Sequence, residues 1–380
     1  MTLSRKRSLV VAMYLLFALL PLLVMLFTPK DTPRGFLREF SVALGFLGFG
    51  MAGMQFLPIS RLRGLSEGMA LDEMFKFHHL ASIASIFMIL LHPLLLGLYN
   101  SNVAMLFKIF EAHWAVQAGW VGLFGLLFIG LTSVLRKMIK LEYSVWLIIH
   151  DILTALLLTF GTIHMFKINY YMNTPVMRTL WIIMIIIWAL CALYIRLIRP
   201  IMVSQRPFKV AKVEQISPDT FSLYLEPDGH THTNFRAGQV SWISKSPWTI
   251  SRNPFSYSGS DQNKGQIRFS IKDLGDFTAT IKDLKPGDRM YVDGPYGTMN
   301  LDDEKLQKGL IMFSGGIGVA PVMSIMNSLA DRGDNRPVYC FYGDFSEKTM
   351  LFQDEFAELQ RRLPNLKVIT VLEKPLDPNY

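Results

Sequence analysis

A chain of 380 residues that is 51% hydrophobic and only 18% charged, with a mean hydropathy of +0.30, is too apolar for an ordinary soluble enzyme, whose charged fraction is about a quarter. The formal net charge of +8 does not point to nucleic acid, because the basic residues sit at the ends of apolar runs and none of them form a block alternating with stacking aromatics. Two cysteines, Cys191 and Cys340, are too few for a disulfide framework or a four-thiolate cluster.

In chain order, six apolar runs come first, at 8–28, 36–57, 77–99, 116–136, 144–166 and 176–198. Each meets the length of roughly 20 residues that a helix needs to cross a hydrocarbon core. Arg5, Lys6 and Arg7 precede the first run as in a signal peptide, but the run is long and no small-residue cleavage site follows it, so it is expected to remain as a span. Arg5, Lys6, Arg7, Arg61, Arg63, Arg136, Lys137, Lys140, Arg196 and Arg199 fall on one side; Lys30, Arg34, Arg38 and Lys108 fall on the other. The positive-inside rule makes the first side cytoplasmic. An even number of spans then puts the N-terminus and the soluble half in the cytoplasm of a multi-pass protein, expected in the plasma membrane and embedded in its lipid bilayer.

Histidine placement is the sharpest signal in this half. His78 and His92 lie fourteen residues apart in the third span, as do His150 and His164 in the fifth. Fourteen residues are almost four turns, so each pair shares a helix face with about 21 Å between its members. Two such helices can hold two stacked haems, one between His78 and His150 and one between His92 and His164, as low-spin centres suited to single-electron transfer. Any one of these residues, taken alone, reads equally as an interhelical hydrogen-bonding histidine. The matched spacing favours metal ligation. His79 competes for the first site but points away from the shared face. His113, His230 and His232 read as solvated loop residues.

The soluble half, from 205 onward, opens with alternating strands at 208–216, 220–226, 239–244, 266–271 and 289–293, the pattern of a small antiparallel barrel. Turn signals at 217–219, 286–288 and 294–297 separate or end them. Past 305 the pattern becomes a strand at 309–313, a glycine turn, a helix from Pro321, a strand at 338–342, a helix at 351–361 and a strand at 366–371. Such alternation marks a parallel α/β sheet. The turn SGGIGVAP at 314–321 joins strand to helix: Gly315, Gly316 and Gly318 let the backbone approach a pyrophosphate, and Pro321 suits a first helical turn. Glycines alone would also serve a tight turn. Arg252, Asn253, Pro254, Phe255, Ser256, Tyr257 and Ser258 gather a cation, rings and hydroxyls such as a flavin diphosphate needs, or else form a strand edge with a surface arginine.

These residues carry a resemblance that covers the whole chain. It resembles the ferric reductase and NADPH oxidase superfamily of transmembrane flavocytochromes, in the paired histidines, in NPFSYS at 253–258 and in GGIGVAP at 315–321. The resemblance implies a six-helix, two-haem domain over 1–204, an antiparallel β-barrel FAD domain over 205–304 and a parallel-sheet NAD(P) lobe over 305–380. By the same similarity Phe255 packs on the isoalloxazine, Ser256 hydrogen-bonds near its N5, and Tyr257 and Ser258 complete the FAD strand. KDLGDFT at 272–278 resembles a second flavin motif, with Lys272 on the diphosphate, Gly275 in the turn and Thr278 on a phosphate oxygen. Asn253 departs from the family's usual histidine or arginine and leaves Arg252 to supply charge. The family's C-terminal Cys-Gly-Pro turn and terminal aromatic are missing before Tyr380, so the chain is expected to be a fragment or to have an incomplete nucleotide lobe.

The implied activity is electron transfer from NADH or NADPH through FAD and two haems b, in which the cofactors carry the chemistry. Asp344, at a strand end, disfavours a 2′-phosphate and leans to NADH, against the pull of Lys348. A ferric chelate is favoured as acceptor because Lys30, Arg34 and Lys108 would attract an anion. Superoxide formation from oxygen is the alternative, and a relay fed by a separate reductase is a third reading.

Overall fold

The computed structural model describes residues 3–27, 34–62, 70–99, 108–231, 234–249, 253–299, 301–302 and 306–375. Lys30, Arg63, His232 and Arg252 lie outside them, and Arg5 and Lys6 are described by backbone alone. The chain divides into two compact units, Met1–Ile198 and Arg199–Tyr380.

The first unit is helical: α1 Leu3–Phe27, α2 Phe36–Met54, α3 Phe56–Ile59, α4 Leu71–Tyr99, α5 Trp114–Leu135, α6 Tyr143–Ile168 and α7 Pro175–Leu193. Six helices are long and apolar enough to cross a membrane, the sixth beginning at Pro175. In hydrocarbon a segment must satisfy its own backbone polar groups, and a helix does so. Helix α4 starts six residues before the apolar run because Asp72 and Glu73 occupy its first turn, where carboxylates suit the positive end of the helix dipole. His78 is therefore two turns inside the helix. Helix α5 is capped by His113, whose Nδ1 accepts from the Ala115 N–H at 3.2 Å; the residue is exposed in the loop, as expected, and also caps the helix that follows. Asn169 ends α6 in the left-handed conformation, a common helix stop.

Aromatic side chains on α2 and α7 fill the centre of this unit. Phe49 lies 5.7 Å from Trp181 and 5.6 Å from Trp188, and Trp181 is wholly buried. Small residues bring helices close elsewhere: a Cβ on Gly122 of α5 would meet the Gly161 nitrogen of α6 at 3.4 Å. Such small-residue contacts are how membrane helices gain packing without a hydrophobic drive.

The second unit opens with the short helix α8 Arg199–Ser204 and continues with β1 Pro207–Ser217, β2 Thr220–Pro227, β3 Val240–Ser244, β4 Asn253–Ser256, β5 Ile267–Lys272, α9 Asp276–Ala279 and β6 Arg289–Tyr296. These six antiparallel strands run in the order β4-β3-β6-β1-β2-β5. The Tyr257–Phe269 bridge joins the two ends of that order, closing the sheet into a barrel, with Leu223, Ile243, Phe269 and Met290 at its core. Strand β6 runs through 294–296, where a turn was expected: a register shift between Val240 and Trp242 lets Val240 pair with Tyr296. Such irregularity lets a strand bend without ending.

The nucleotide lobe follows: β7 Leu310–Gly315, a 3₁₀ turn Gly316–Val319, α10 Ala320–Arg332, β8 Val338–Asp344, α11 Gln353–Arg362 and β9 Leu366–Leu372. The strands are parallel in the order β7-β8-β9. Met323, Met326, Leu329, Tyr342 and Phe356 pack together in its core, while Ile311, Phe313 and Val371 are exposed. Burial pushes the Cys340 thiol up to about 11, which makes it a core residue without nucleophilic character.

Polar side chains pin barrel to lobe. Arg268 donates to both Glu355 oxygens at 2.9 and 2.7 Å and to the Ser258 carbonyl at 2.6 Å. Asn327 joins Glu355 at 2.6 Å, Arg332 pairs with Asp261 at 2.7 Å, and Ser324 donates to the Gly259 carbonyl at 2.7 Å. Burial alone would lower the Arg268 pKa; its bonds to Glu355 outweigh that and raise it.

Candidate functional site

In the helical unit the four expected histidines form two facing pairs. The His78 and His150 rings lie 6.4 Å apart between centroids, and His92 and His164 lie 6.3 Å apart. A metal–imidazole bond of about 2 Å, added to the roughly 1.1 Å from nitrogen to ring centre, separates two axial rings by ~6.3 Å. Both pairs therefore have the separation of imidazoles on opposite sides of one metal. Among the described residues no group of three or more His, Cys, Asp or Glu could hold a metal ion, so the donor set suits a macrocycle that brings its own equatorial nitrogens and not a bare cation. His79 is exposed and stands outside both pairs.

The outward ring nitrogens are committed. His92 Nδ1 faces the Ser41 carbonyl at 3.0 Å, and His164 Nδ1 faces the Ala115 carbonyl at 2.8 Å. A carbonyl only accepts, so both rings carry their proton on Nδ1 and keep Nε2 open, the usual arrangement of a metal-binding imidazole. His78 Nδ1 faces Gln55 Oε1 at 3.0 Å, and the Trp146 ring lies 5.3 Å from His150. Two glycines make room for the rings: an added Cβ would fall 2.8 Å from His164 Nδ1 at Gly119 and 3.2 Å from the His92 ring at Gly45. Sequence reading missed Ser41, Gln55, Ala115 and both glycines. Only Gln55, a lone amide in an apolar run, left a readable signal.

In the barrel, β4 lies at one end of the strand order and pairs Phe255 with Ser241 and Ser256 with Val240. Asn253, Phe255 and Ser256 are partly exposed and Pro254 is exposed. Phe255 lies 5.9 Å from Phe277, the residue before Thr278. Tyr257 and Ser258 behave otherwise. Tyr257 is buried, stacks on Phe235 at 3.9 Å and hydrogen-bonds Ser241 Oγ at 2.6 Å; Ser258 is buried against Ser270 Oγ at 2.8 Å. Their side chains build the barrel interior, at the end of the strand expected to bind FAD. Arg252 lies outside the described residues.

The second flavin motif is also occupied from within. Lys272 pairs with Asp219 at 3.2 Å. Thr278 Oγ1 accepts from the N–H groups of Leu274 and Gly275 at 2.8 and 2.9 Å and donates to the Gly275 carbonyl. That hydroxyl shapes its own turn.

The glycine turn sits at the C-terminal end of the parallel strands, where ligands of open α/β sheets bind. Gly315 ends β7, Gly316 has φ +49, and nothing lies within 4 Å of a Cβ placed on Gly318. A side chain at Gly316 would be strained. Pro321 is in the first turn of α10. Asp344, at the neighbouring strand end, accepts from the Tyr342 hydroxyl at 2.9 Å, the Phe345 N–H at 2.7 Å and Thr349 Oγ1 at 2.6 Å. It organises the 344–349 turn.

Comparison with known proteins matches three segments of the chain. Residues 44–161 match the family described as ferric reductase like transmembrane component, residues 207–301 match the oxidoreductase FAD-binding domain and residues 312–379 match the oxidoreductase NAD-binding domain. In chain order these are the parts of a transmembrane oxidoreductase of the ferric reductase and NADPH oxidase type: a membrane component, an FAD-binding domain and an NAD-binding domain. The chain is similar to the reductase component of propane 2-monooxygenase from Rhodococcus jostii, 28% identical over 45% of this chain and 46% of that protein. It is also similar to the electron transfer component of toluate 1,2-dioxygenase from Pseudomonas putida, 25% identical over 44% of this chain and 49% of that protein. The chain spans about half the length of these curated relatives. Among solved structures, an Amycolatopsis cytochrome P450 reductase is 24% identical with a TM-score of 0.41, covering 46% of this chain and 54% of that one. The flavohaem-like FAD/NAD binding domain of a Vibrio cholerae nitric oxide dioxygenase is 23% identical with a TM-score of 0.39, covering 45% and 76%.

Proposed function

We propose that the chain carries electrons from cytoplasmic NAD(P)H through FAD and two haems b to an anionic ferric chelate on the far side of the plasma membrane. The observation that carries this reading is the pair of 6.4 and 6.3 Å imidazole separations, each at the spacing of two axial ligands. His78 with His150 and His92 with His164 hold the haems, Phe255 and Ser256 meet the flavin ring, and Gly315, Gly316, Gly318 and Pro321 admit the nucleotide pyrophosphate. When bound, the nicotinamide and flavin supply hydride transfer and the haems supply single-electron steps. The protein's own part is to fix these groups in order: imidazoles locked by their Nδ1 protons, and a glycine turn with no side chain in the way.

The charge at the His92 and His164 end supports an anionic acceptor. Arg34 lies over the Tyr170 ring, Arg38 over Tyr99 and Lys167 over Trp114, and Arg178 donates to Asn169 Oδ1. Among the described residues these four have no carboxylate in ion-pair range. At the His78 and His150 end Arg7 pairs with Glu73, Lys76 with Asp72 and Arg196 with Asp151, while Arg136 lies over the Tyr143 and Trp146 rings. A positive surface raises the local concentration of anions. Lys108 drops out of the expected cluster because it pairs with Glu111 at 2.8 Å.

The test is anaerobic addition of NADH or NADPH to the haem-loaded, FAD-supplemented chain, followed by timed reoxidation with ferric citrate or oxygen. Haem reduction by nucleotide and faster reoxidation by ferric citrate support the reading. Faster reoxidation by oxygen replaces it with the oxidase alternative. Haems that respond to dithionite and to neither nucleotide make the chain a relay fed by another reductase.

A further inference from the structure

His78 is held differently from His92 and His164, the other members of the facing pairs whose Nδ1 partners are described. Its Nδ1 meets a side-chain amide, Gln55 Oε1 at 3.0 Å, and an amide offers either a donor or an acceptor according to how it is turned. What fixes its orientation lies one step further out. Gln55 Nε2 is 3.0 Å from the hydroxyl of Tyr14, and that hydroxyl is 2.9 Å from the backbone carbonyl of Met51. Tyr14 and Gln55 are both buried, so no water competes for these positions.

The sense of every bond follows from the last acceptor. The Met51 carbonyl can only accept, so Tyr14 must donate to it. With its proton used there, the Tyr14 oxygen can only accept from Gln55, which must turn its NH₂ outward and its carbonyl toward His78. That carbonyl in turn requires a proton on His78 Nδ1 and leaves the Nε2 lone pair facing His150. The Tyr14 ring is itself braced edge-on against Phe77, beside His78, at 4.8 Å.

We propose that Tyr14 and Gln55 are positioning residues that set the tautomer and donor strength of His78, so that helix α1 tunes one of the two metal sites from outside the region that matches the ferric-reductase-like component. The proposal rests on the haem reading of the histidine pairs. At the second site His92 and His164 meet backbone carbonyls directly, and the Ser41 hydroxyl, 3.1 Å from His92 Nδ1, spends its proton on the His92 carbonyl at 2.7 Å. Side-chain control at one pair and backbone control at the other gives the two sites independent potentials, since hydrogen bonds to the outer nitrogen change the basicity of a ligand imidazole.

The experiment is a redox titration of the haem-loaded full-length protein, with haem counted chemically in each sample. Gln55→Glu places a carboxylate against Nδ1 and is expected to shift one of two one-electron transitions to more negative potential, by about tenfold in the oxidised-to-reduced ratio, or ~59 mV. Gln55→Leu should move the same transition the other way. Tyr14→Phe, which removes one oxygen and is the mildest change, should follow Gln55→Leu with a smaller shift, and it decides the matter alone if the Gln55 variants do not accumulate. A role in packing only would lower the melting temperature and leave both transitions in place, which overturns the relay. Haem counts of His78→Ala and His150→Ala separate the two ideas. If both variants keep two haems per chain, the haem reading falls; if each loses one and the Gln55 and Tyr14 variants shift nothing, the relay alone falls.

Discussion

In the helical half, His78, His92 and His164 each have one ring nitrogen bound to a neighbour and the other open toward a partner ring, whereas in the soluble half the motif side chains are bound on nearly every side. Thr278 makes three bonds to its own turn, Asp344 three to its own loop, and Tyr257 and Ser258 are sealed inside the barrel. On the proposed function, the difference follows from what each half must recognise. A metal needs lone pairs, so the helices keep one free per ring. An extended dinucleotide needs a backbone it can approach, so side chains near the glycine turn and β4 serve mainly to shape the chain. The helical half should therefore lose function when its histidines change, and the soluble half should lose stability first.

The strongest break is His164→Ala. It should remove one of two haems and slow electron delivery to a membrane-impermeant acceptor by at least about 100-fold, beyond the 10–100-fold typical of outer-shell changes; unchanged haem content in that variant would contradict the pairing. Next comes the room made for the rings. Gly119→Ala puts a methyl 2.8 Å from His164 Nδ1 in competition with the Ala115 carbonyl, and haem affinity at that site should fall about tenfold. Gly45→Ala, at 3.2 Å from the His92 ring, should have the smaller effect, and the order of the two is read by haem titration.

In the soluble half, Arg268→Leu leaves Glu355 and Asn327 without their cation between barrel and lobe. The pair is partly exposed, so the loss should be about 2–3 kcal/mol, at or below the low end for a buried ion pair, seen as a lower denaturation midpoint with the haem spectrum unchanged. Thr278→Val is milder. It removes the hydroxyl that caps the Leu274 and Gly275 N–H groups and should cost about 1 kcal/mol, as for other lost caps. FAD affinity measured by fluorescence should drop only in proportion; a far larger drop in affinity at equal stability would mark Thr278 as a phosphate ligand.

Much of this was legible before any coordinates. Fourteen-residue spacing on a helix is a geometric statement, because 3.6 residues per turn fixes which side chains share a face, and the apolar runs and the alternation after 305 are of the same kind. The acceptors behind the histidines were hidden for a physical reason: backbone carbonyls of Ser41 and Ala115 have no sequence signature. Motifs in loops and short strands were less informative, because no period relates Thr278 or Tyr257 to its surroundings. Tyr257 is drawn inward by Phe235 and Phe269, residues far from it in sequence. His113 reads as an exposed loop residue either way, and only the Ala115 bond shows that it also caps α5.

The smallest expected effect is a matter of pH. Asp334 accepts from the Arg336 guanidinium at 2.7 Å, and that bond holds its carboxyl below the usual carboxylate value. A depressed folded-state pKa means that the unfolded chain takes up a proton first as pH falls. The stabilisation from this pair is therefore fully present above about pH 4, the unfolded value, and is lost as pH drops through the folded value. Asp334→Asn should cost less than about 1 kcal/mol at pH 7, given the modest worth of ion pairs near a surface. The gap between variant and parent should close on acidification. Thermal melts of the two proteins from pH 7 downward measure that gap; one that stays constant to the lowest pH would mean that Asp334 acts through the N–H it accepts from Arg336 and not through its charge.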